Sequence, residues 1–135
     1  MQRRLVAAVA VGAALSAVAL PAYAGSYLDR AGVLTGLGSR ESDFLRARLG
    51  DGELALALHR VARGRLDAAA RMQVPKEVAQ AHPHVLLVLE NYERAANAAA
   101  EGSPERFLVY QRRAREEEQV LRGVLKQLGW ALPKL

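Results

Sequence analysis

The chain has 135 residues, 51% of them hydrophobic, with 19 Lys and Arg against 14 Asp and Glu and no cysteine. That length fits one domain. The lack of Cys excludes thiolate zinc sites, iron–sulfur clusters, c-type haem attachment, thiol catalysis and disulfides, so the core alone must hold the fold.

Residues 1–24 read as a secretory signal peptide. Gln2-Arg3-Arg4 is a short basic start, Leu5 to Leu20 is an uncharged run rich in Ala and Val, and Ala22-Tyr23-Ala24 after Pro21 supplies the small-residue cleavage pattern. The apolar run is near the lower end of the roughly 17–25 residues that span a bilayer, and its Ala content makes it weakly hydrophobic. Cleavage before Gly25 is therefore expected, with a periplasmic or secreted location and no stable membrane span afterwards. The remaining 111 residues carry 17 Lys and Arg against 14 Asp and Glu, a net charge of +3.

Residues 25–38 hold Gly25, Gly32, Gly36 and Gly38 and read as a Gly-rich arm, with Val33, Leu34 and Leu37 able to lie over the rest. Ser39 can cap a short helix with Glu41 and Asp43 in its first turn, Phe44, Leu45 and Leu49 as its apolar residues, and Gly50 as its stop. Asp51 caps a second helix from Gly52 to about Gln73, with Leu54, Leu58, Val61 or Ala62, Leu66, Ala69 and Met72 as its stripe. Gly64 weakens that helix by about 1 kcal/mol relative to Ala, and its missing side chain would suit a close helix crossing. Pro75 opens a short helical piece, Lys76 to Ala81.

The central element runs from Pro83 to about Glu101. Val78, His82, Val85, Leu89, Tyr92, Ala96 and Ala99 fall on one stripe at steps of four and three, and Leu86 and Val88 widen it, so this helix touches more than one neighbour. Gly102 ends it. Ser103-Pro104-Glu105 starts the last helix, which runs to about Leu128 with Phe107, Tyr110, Ala114, Glu117, Leu121, Val124 or Leu125, and Leu128 on its stripe. Gly129 is its left-handed stop, Trp130 folds back, and residues 131–135 form a tail. Short junctions make neighbouring helices antiparallel. The expected fold is all-α: an up-and-down antiparallel helical bundle over residues 39–130, of three long helices and a shorter leading one.

Few polar residues invite chemistry. His82 and His84 flank Pro83; in a regular helix they point about 200° apart, whereas an extended or capping backbone at His82 would let both face one metal. The alternative for His82 is a neutral ring that caps the helix or is hydrogen-bonded within the bundle. Glu117 lies on the apolar stripe and needs a partner, which Arg113, Arg65 or a histidine could supply; turning the stripe slightly puts Glu118 there instead. His82, His84 and Glu117 are thus the candidate metal ligands, with Met72 as a haem ligand beside a histidine. Arg60, Arg63 and Arg71 are the candidate partner-binding residues. Export and the lack of interleaved aromatics argue against nucleic acid, leaving a protein or an anionic envelope component.

These features describe a small exported helical interaction module, non-catalytic and without a cofactor. The alternative is a metal- or haem-binding bundle using His, Met and Glu ligands. The wide central stripe suits a monomer or a homodimer that completes its core. N-terminal sequencing of the exported protein should read Gly-Ser-Tyr-Leu-Asp, starting at Gly25; a first residue anywhere upstream of Leu20 would show that the segment is retained.

Overall fold

The structure is a computed structural model that describes the backbone of residues 2–134 and the side chains of residues 24–134. Apart from Ala24, the signal peptide assigned to residues 1–24 lies outside the described side chains. Four α-helices follow in order: α1 (Gln2–Arg46), α2 (Gly52–Ala70), α3 (His82–Ala100) and α4 (Pro104–Gln127), with a 3₁₀ turn at Lys76–Val78 between α2 and α3. No strand occurs among the described residues, and no helix among them is long and apolar enough to cross a membrane.

The all-helical bundle agrees with the sequence, but its leading helix does not. Residues 25–38 are helical rather than an arm, Ser39 sits inside α1 rather than at a cap, and α1 is not shorter than its neighbours. The glycines serve packing instead of a loop. A Cβ on Gly38 would lie 2.9 Å from the Tyr92 ring, and one on Gly32 would lie 3.1 Å from the Pro133 ring. Tyr27, Leu28 and Ala31, spaced as one helical face, are buried beside them. The tail is packed too: Leu132 is buried, and Pro133 rests on Gly32.

The junctions follow the capping chemistry. Asp51 accepts a hydrogen bond from the Leu54 N–H at 3.0 Å, and Ser103 accepts one from the Arg106 N–H at 3.3 Å. Gly102 and Gly129 take φ of +79° and +86°. Ser103 N–H then reaches the Ala98 carbonyl at 2.9 Å and Trp130 N–H the Leu125 carbonyl at 2.8 Å, which completes a left-handed helix stop at each site. Ser103 therefore ends α3 with its backbone and starts α4 with its side chain.

Side-chain pairs set the register. His59 meets Glu93 across α2 and α3, His84 meets Glu117 across α3 and α4, and Asp43 meets Arg115 across α1 and α4, so each of these pairs of helices is antiparallel. Tyr27 meets His82 and Gly38 meets Tyr92, so α1 runs parallel to α3 and packs onto it across the short diagonal of the bundle. α3 touches all three other helices, as its wide stripe requires. Of that stripe, Val78, Val85, Leu89, Tyr92, Ala96 and Ala99 are buried; so is Val88.

The core has two parts. One surrounds the start of α3 with Tyr27, Leu28, Val85, Leu89, Leu121 and Leu125; the other surrounds its end and is rich in alanine, with Ala55, Ala62, Ala95, Ala96, Ala99, Leu45 and Phe107. A polar layer lies at their boundary. Gln111 donates to Ser42 at 3.0 Å and to Asp43 at 3.3 Å, Arg115 donates to Asp43 at 2.6 Å, Tyr92 donates to Glu118 at 2.7 Å, and Arg65 is paired with Glu41. No buried side-chain nitrogen or oxygen among the described residues lacks a partner.

Gly64 has nothing within 4 Å of a built Cβ, so no crossing occurs there. Two glycine substitutions should therefore move stability in opposite directions in urea denaturation. Gly38→Ala forces a methyl into the Tyr92 ring and should destabilise by about 1–3 kcal/mol. Gly64→Ala adds a methyl in open space and should stabilise by about 0.5–1 kcal/mol.

Candidate functional site

His82 is the first residue of α3 and Ala81 its N-cap, so His82, Pro83 and His84 are all helical or at the helix start. The extended geometry that would let both rings face one ligand is not adopted. His82 turns to α1, where its Nδ1 lies 2.6 Å from the Tyr27 hydroxyl, and the ring is also hydrogen-bonded to the Ala69 backbone. A ring donating to the Ala69 carbonyl and accepting the Tyr27 proton is neutral with both nitrogens satisfied. Burial lowers its pKa from the usual 6.5, and the Ala69 bond works against that. Tyr27 is pushed up to about 12 by burial, so its proton stays on.

His84 turns the other way, to α4. Its Nδ1 lies 3.3 Å from Glu117 Oε2, with both side chains over a quarter exposed. Glu117 thus finds a histidine rather than Arg113, whose guanidinium lies 5.5 Å from the Tyr110 ring centre, or Arg65, which pairs with Glu41. Glu118 is the acid turned inward: its carboxylate accepts from Tyr92, and burial raises its pKa against the pull of that bond and of Arg122 and Arg115. Of the three candidate ligands, His84 and Glu117 meet and His82 is engaged elsewhere. No group of three or more His, Asp and Glu among the described residues is placed to hold a metal. Met72, the candidate haem ligand, packs against the core cluster around Tyr27. His59, given no role by its spacing, pairs with Glu93 at 2.7 Å, where both side chains are largely covered.

The arginines of α2 do not form a purely basic face. Arg60 and Arg71 lie eleven positions apart, about three turns, on one exposed stripe, but Glu53 and Asp67 share it, with Arg63 at its edge.

An apolar groove of about 370 Å³ opens between α1 and α2, lined by Asp29, Arg30, Val33, Leu34, Ala68 and Met72. Within the groove Val33 is 43% exposed, and farther along the two helices Leu37 is 38%, Phe44 47% and Val61 49% exposed. α1 supplies the row Arg30, Leu34, Leu37, Glu41 and Phe44 at steps of four and three, with Val33 beside Leu34, and α2 supplies Val61, Ala68 and Met72. Farther along the same two helices the Arg65–Glu41 pair joins them, with the Arg65 side chain only 7% exposed. The residues that line the groove include one carboxylate, Asp29, and one cation, Arg30, at an otherwise apolar wall. Treating residues 25–38 as an arm concealed its α1 wall. One signal was present: α2 offers both Val61 and Ala62 to its stripe, more apolar width than one neighbour covers.

No family model, curated protein or solved structure matches this chain.

The Tyr27–His82 bond predicts a pH effect with a fixed sign. As pH falls, the unfolded chain takes up a proton on His82 near 6.5 while the folded chain resists until lower pH. The stability held by neutral His82 is therefore complete above the unfolded pKa and declines as pH drops through and below it. Urea denaturation of the wild type should show less stability at about pH 5.5 than at about pH 7.5, with a shallower decline in His82→Gln. At neutral pH Tyr27→Phe should lose about 1–2 kcal/mol, because the ring nitrogen loses its donor. Equal slopes in the wild type and His82→Gln would assign the effect to other groups.

Proposed function

We propose that this chain is an exported, non-catalytic helical interaction module whose α1–α2 groove receives a helix of a partner protein. The observation that carries this reading is the row of exposed apolar side chains, Val33, Leu37, Phe44 and Val61, along a groove between two helices. Contiguous apolar surface rimmed by charge is the usual mark of a docking face, and an amphipathic helix laid into such a groove completes a bundle. Export is supported by the three-part pattern of residues 1–24.

Charge favours an acidic partner. Arg30 lines the groove, the Arg48 guanidinium covers the Phe44 ring at 3.7 Å, and Arg60 and Arg71 stand outside Val61 and Met72. Asp29, Glu53 and Asp67 offset these four cations only in part. Two copies meeting through this face would bring like charges together, which disfavours a homodimer there, whereas a helix with acidic flanks gains on approach. A metal- or haem-binding role is the second reading, and the His84–Glu117 contact is the observation that keeps it.

Site-specific photo-crosslinking in cells tests the docking reading. A crosslinker in place of Leu37 should join the protein to one partner through an acidic amphipathic segment, and Arg60→Glu with Arg71→Glu should remove that product. The same group in place of exposed Leu108 on α4 should not give it. The reading fails if position 37 gives no adduct, gives the same adducts as position 108, or joins only a second copy of the chain.

A further inference from the structure

A second opening lies on the other flank of α1, where α1 faces α4. It has about 200 Å³ of space, and its chemistry differs from that of the groove. On this flank α1 presents Gly32, Thr35, Gly36 and Ser39, which are too small to reach α4, so the two helices stand apart. The tail closes one end, with Pro133 against Gly32. Three cations reach the opening from three separate elements: Arg40 from α1, Arg122 from α4 and Lys134 from the tail. Neither Arg40 nor Lys134 has a hydrogen-bond or ion-pair partner among the described residues. One acid, Glu118, faces them.

We propose that this cleft binds a small doubly charged oxyanion, a phosphate or sulfate group, between Arg40, Arg122 and Lys134. Guanidinium groups match tetrahedral oxyanions with paired N–H donors, and a recess walled by protein concentrates the field of its cations. This site is separate from the apolar groove and does not depend on it.

Glu118 makes the binding proton-linked. Its surroundings are Ser39, Arg40 and Asp43 on α1, Tyr92 on α3, Arg115 and Arg122 on α4, and Lys134 on the tail. Burial and Asp43 push its pKa up, while Tyr92, Arg122 and Arg115 hold it down, with a net rise. An ionised Glu118 repels the incoming anion and competes for Arg122; a protonated Glu118 does neither. The bound anion in turn favours the protonated form. Affinity therefore increases as pH falls through the Glu118 titration.

Isothermal titration with sodium sulfate, at constant ionic strength in chloride, tests this, because sulfate does not itself titrate over the range. Sulfate should bind at about pH 7.5 and several-fold tighter at about pH 5.5. Arg40→Ala and Arg122→Ala should each weaken it by at least about tenfold, with circular dichroism unchanged. Glu118→Gln should bind several-fold tighter than the wild type at neutral pH and lose the pH dependence. Absence of binding at both pH values, or full affinity in both arginine variants, overturns the proposal; so does an unchanged pH dependence in Glu118→Gln. Sedimentation with phosphatidylcholine vesicles, with and without phosphatidic acid, whose phosphomonoester can carry two charges, separates two sources of the group. Pelleting with the anionic vesicles that sulfate reverses assigns it to a lipid headgroup. Sulfate binding without pelleting assigns it to a free small molecule.

Discussion

The contact of the Tyr92 ring with Gly38 sets the plan of the bundle. It lets α1 settle directly on α3 instead of sharing its packing evenly with α2 and α4. The same tyrosine extends its hydroxyl to Glu118 on α4, so one side chain fixes the spacing of three helices. Because α1 is drawn across the short diagonal, both its flanks are left partly uncovered. One flank carries Val33, Leu34 and Leu37 and opens as an apolar groove; the other carries glycine, serine and threonine and opens as a polar cleft. A larger residue at position 38 would move α1 outward and change both openings together.

The polar layer complements that contact. Its members are matched across helices, Ser42 and Asp43 with Gln111 and Arg115, Glu41 with Arg65, and a slide of one helix by a turn would leave several of them buried without partners. The buried members, Ser42, Arg65 and Gln111, add little net stability but penalise alternative registers. The alanine-rich half of the core, which lacks the shape-specific fit of larger side chains, sits next to this layer and gains most from it.

Much of this order was legible in the chain. The width of the Val78–Ala99 stripe gave α3 its central place, and Asp51, Gly102, Ser103 and Gly129 marked the ends of three helices through capping chemistry that is local by nature. What escaped was tertiary. Glycine in a run of small residues signals a loop when only backbone freedom is considered, and only the approach of Tyr92 and Pro133 shows why Gly38 and Gly32 are helical. The site residues divide likewise. That His82 and His84 point apart follows once Pro83 is placed inside a helix, but the partners Tyr27, Ala69 and Glu117 lie on other elements and no spacing reveals them. Glu118 could be found only as the residue beside Glu117 after a small turn of the stripe.

The double use of Ser103 has a kinetic consequence. With Gly102 it completes a near-immediate reversal between α3 and α4, so these two helices, the pair in most extensive contact, pair through contacts close in sequence. Hairpins of this kind close with little loss of chain entropy and form ahead of long-range contacts. α1 has no such shortcut to α3, since Gly38 and Tyr92 are separated by all of α2. The order favoured by this topology is a C-terminal hairpin that assembles first and a leading helix that docks last, so that both openings beside α1 come into being in the final step of folding.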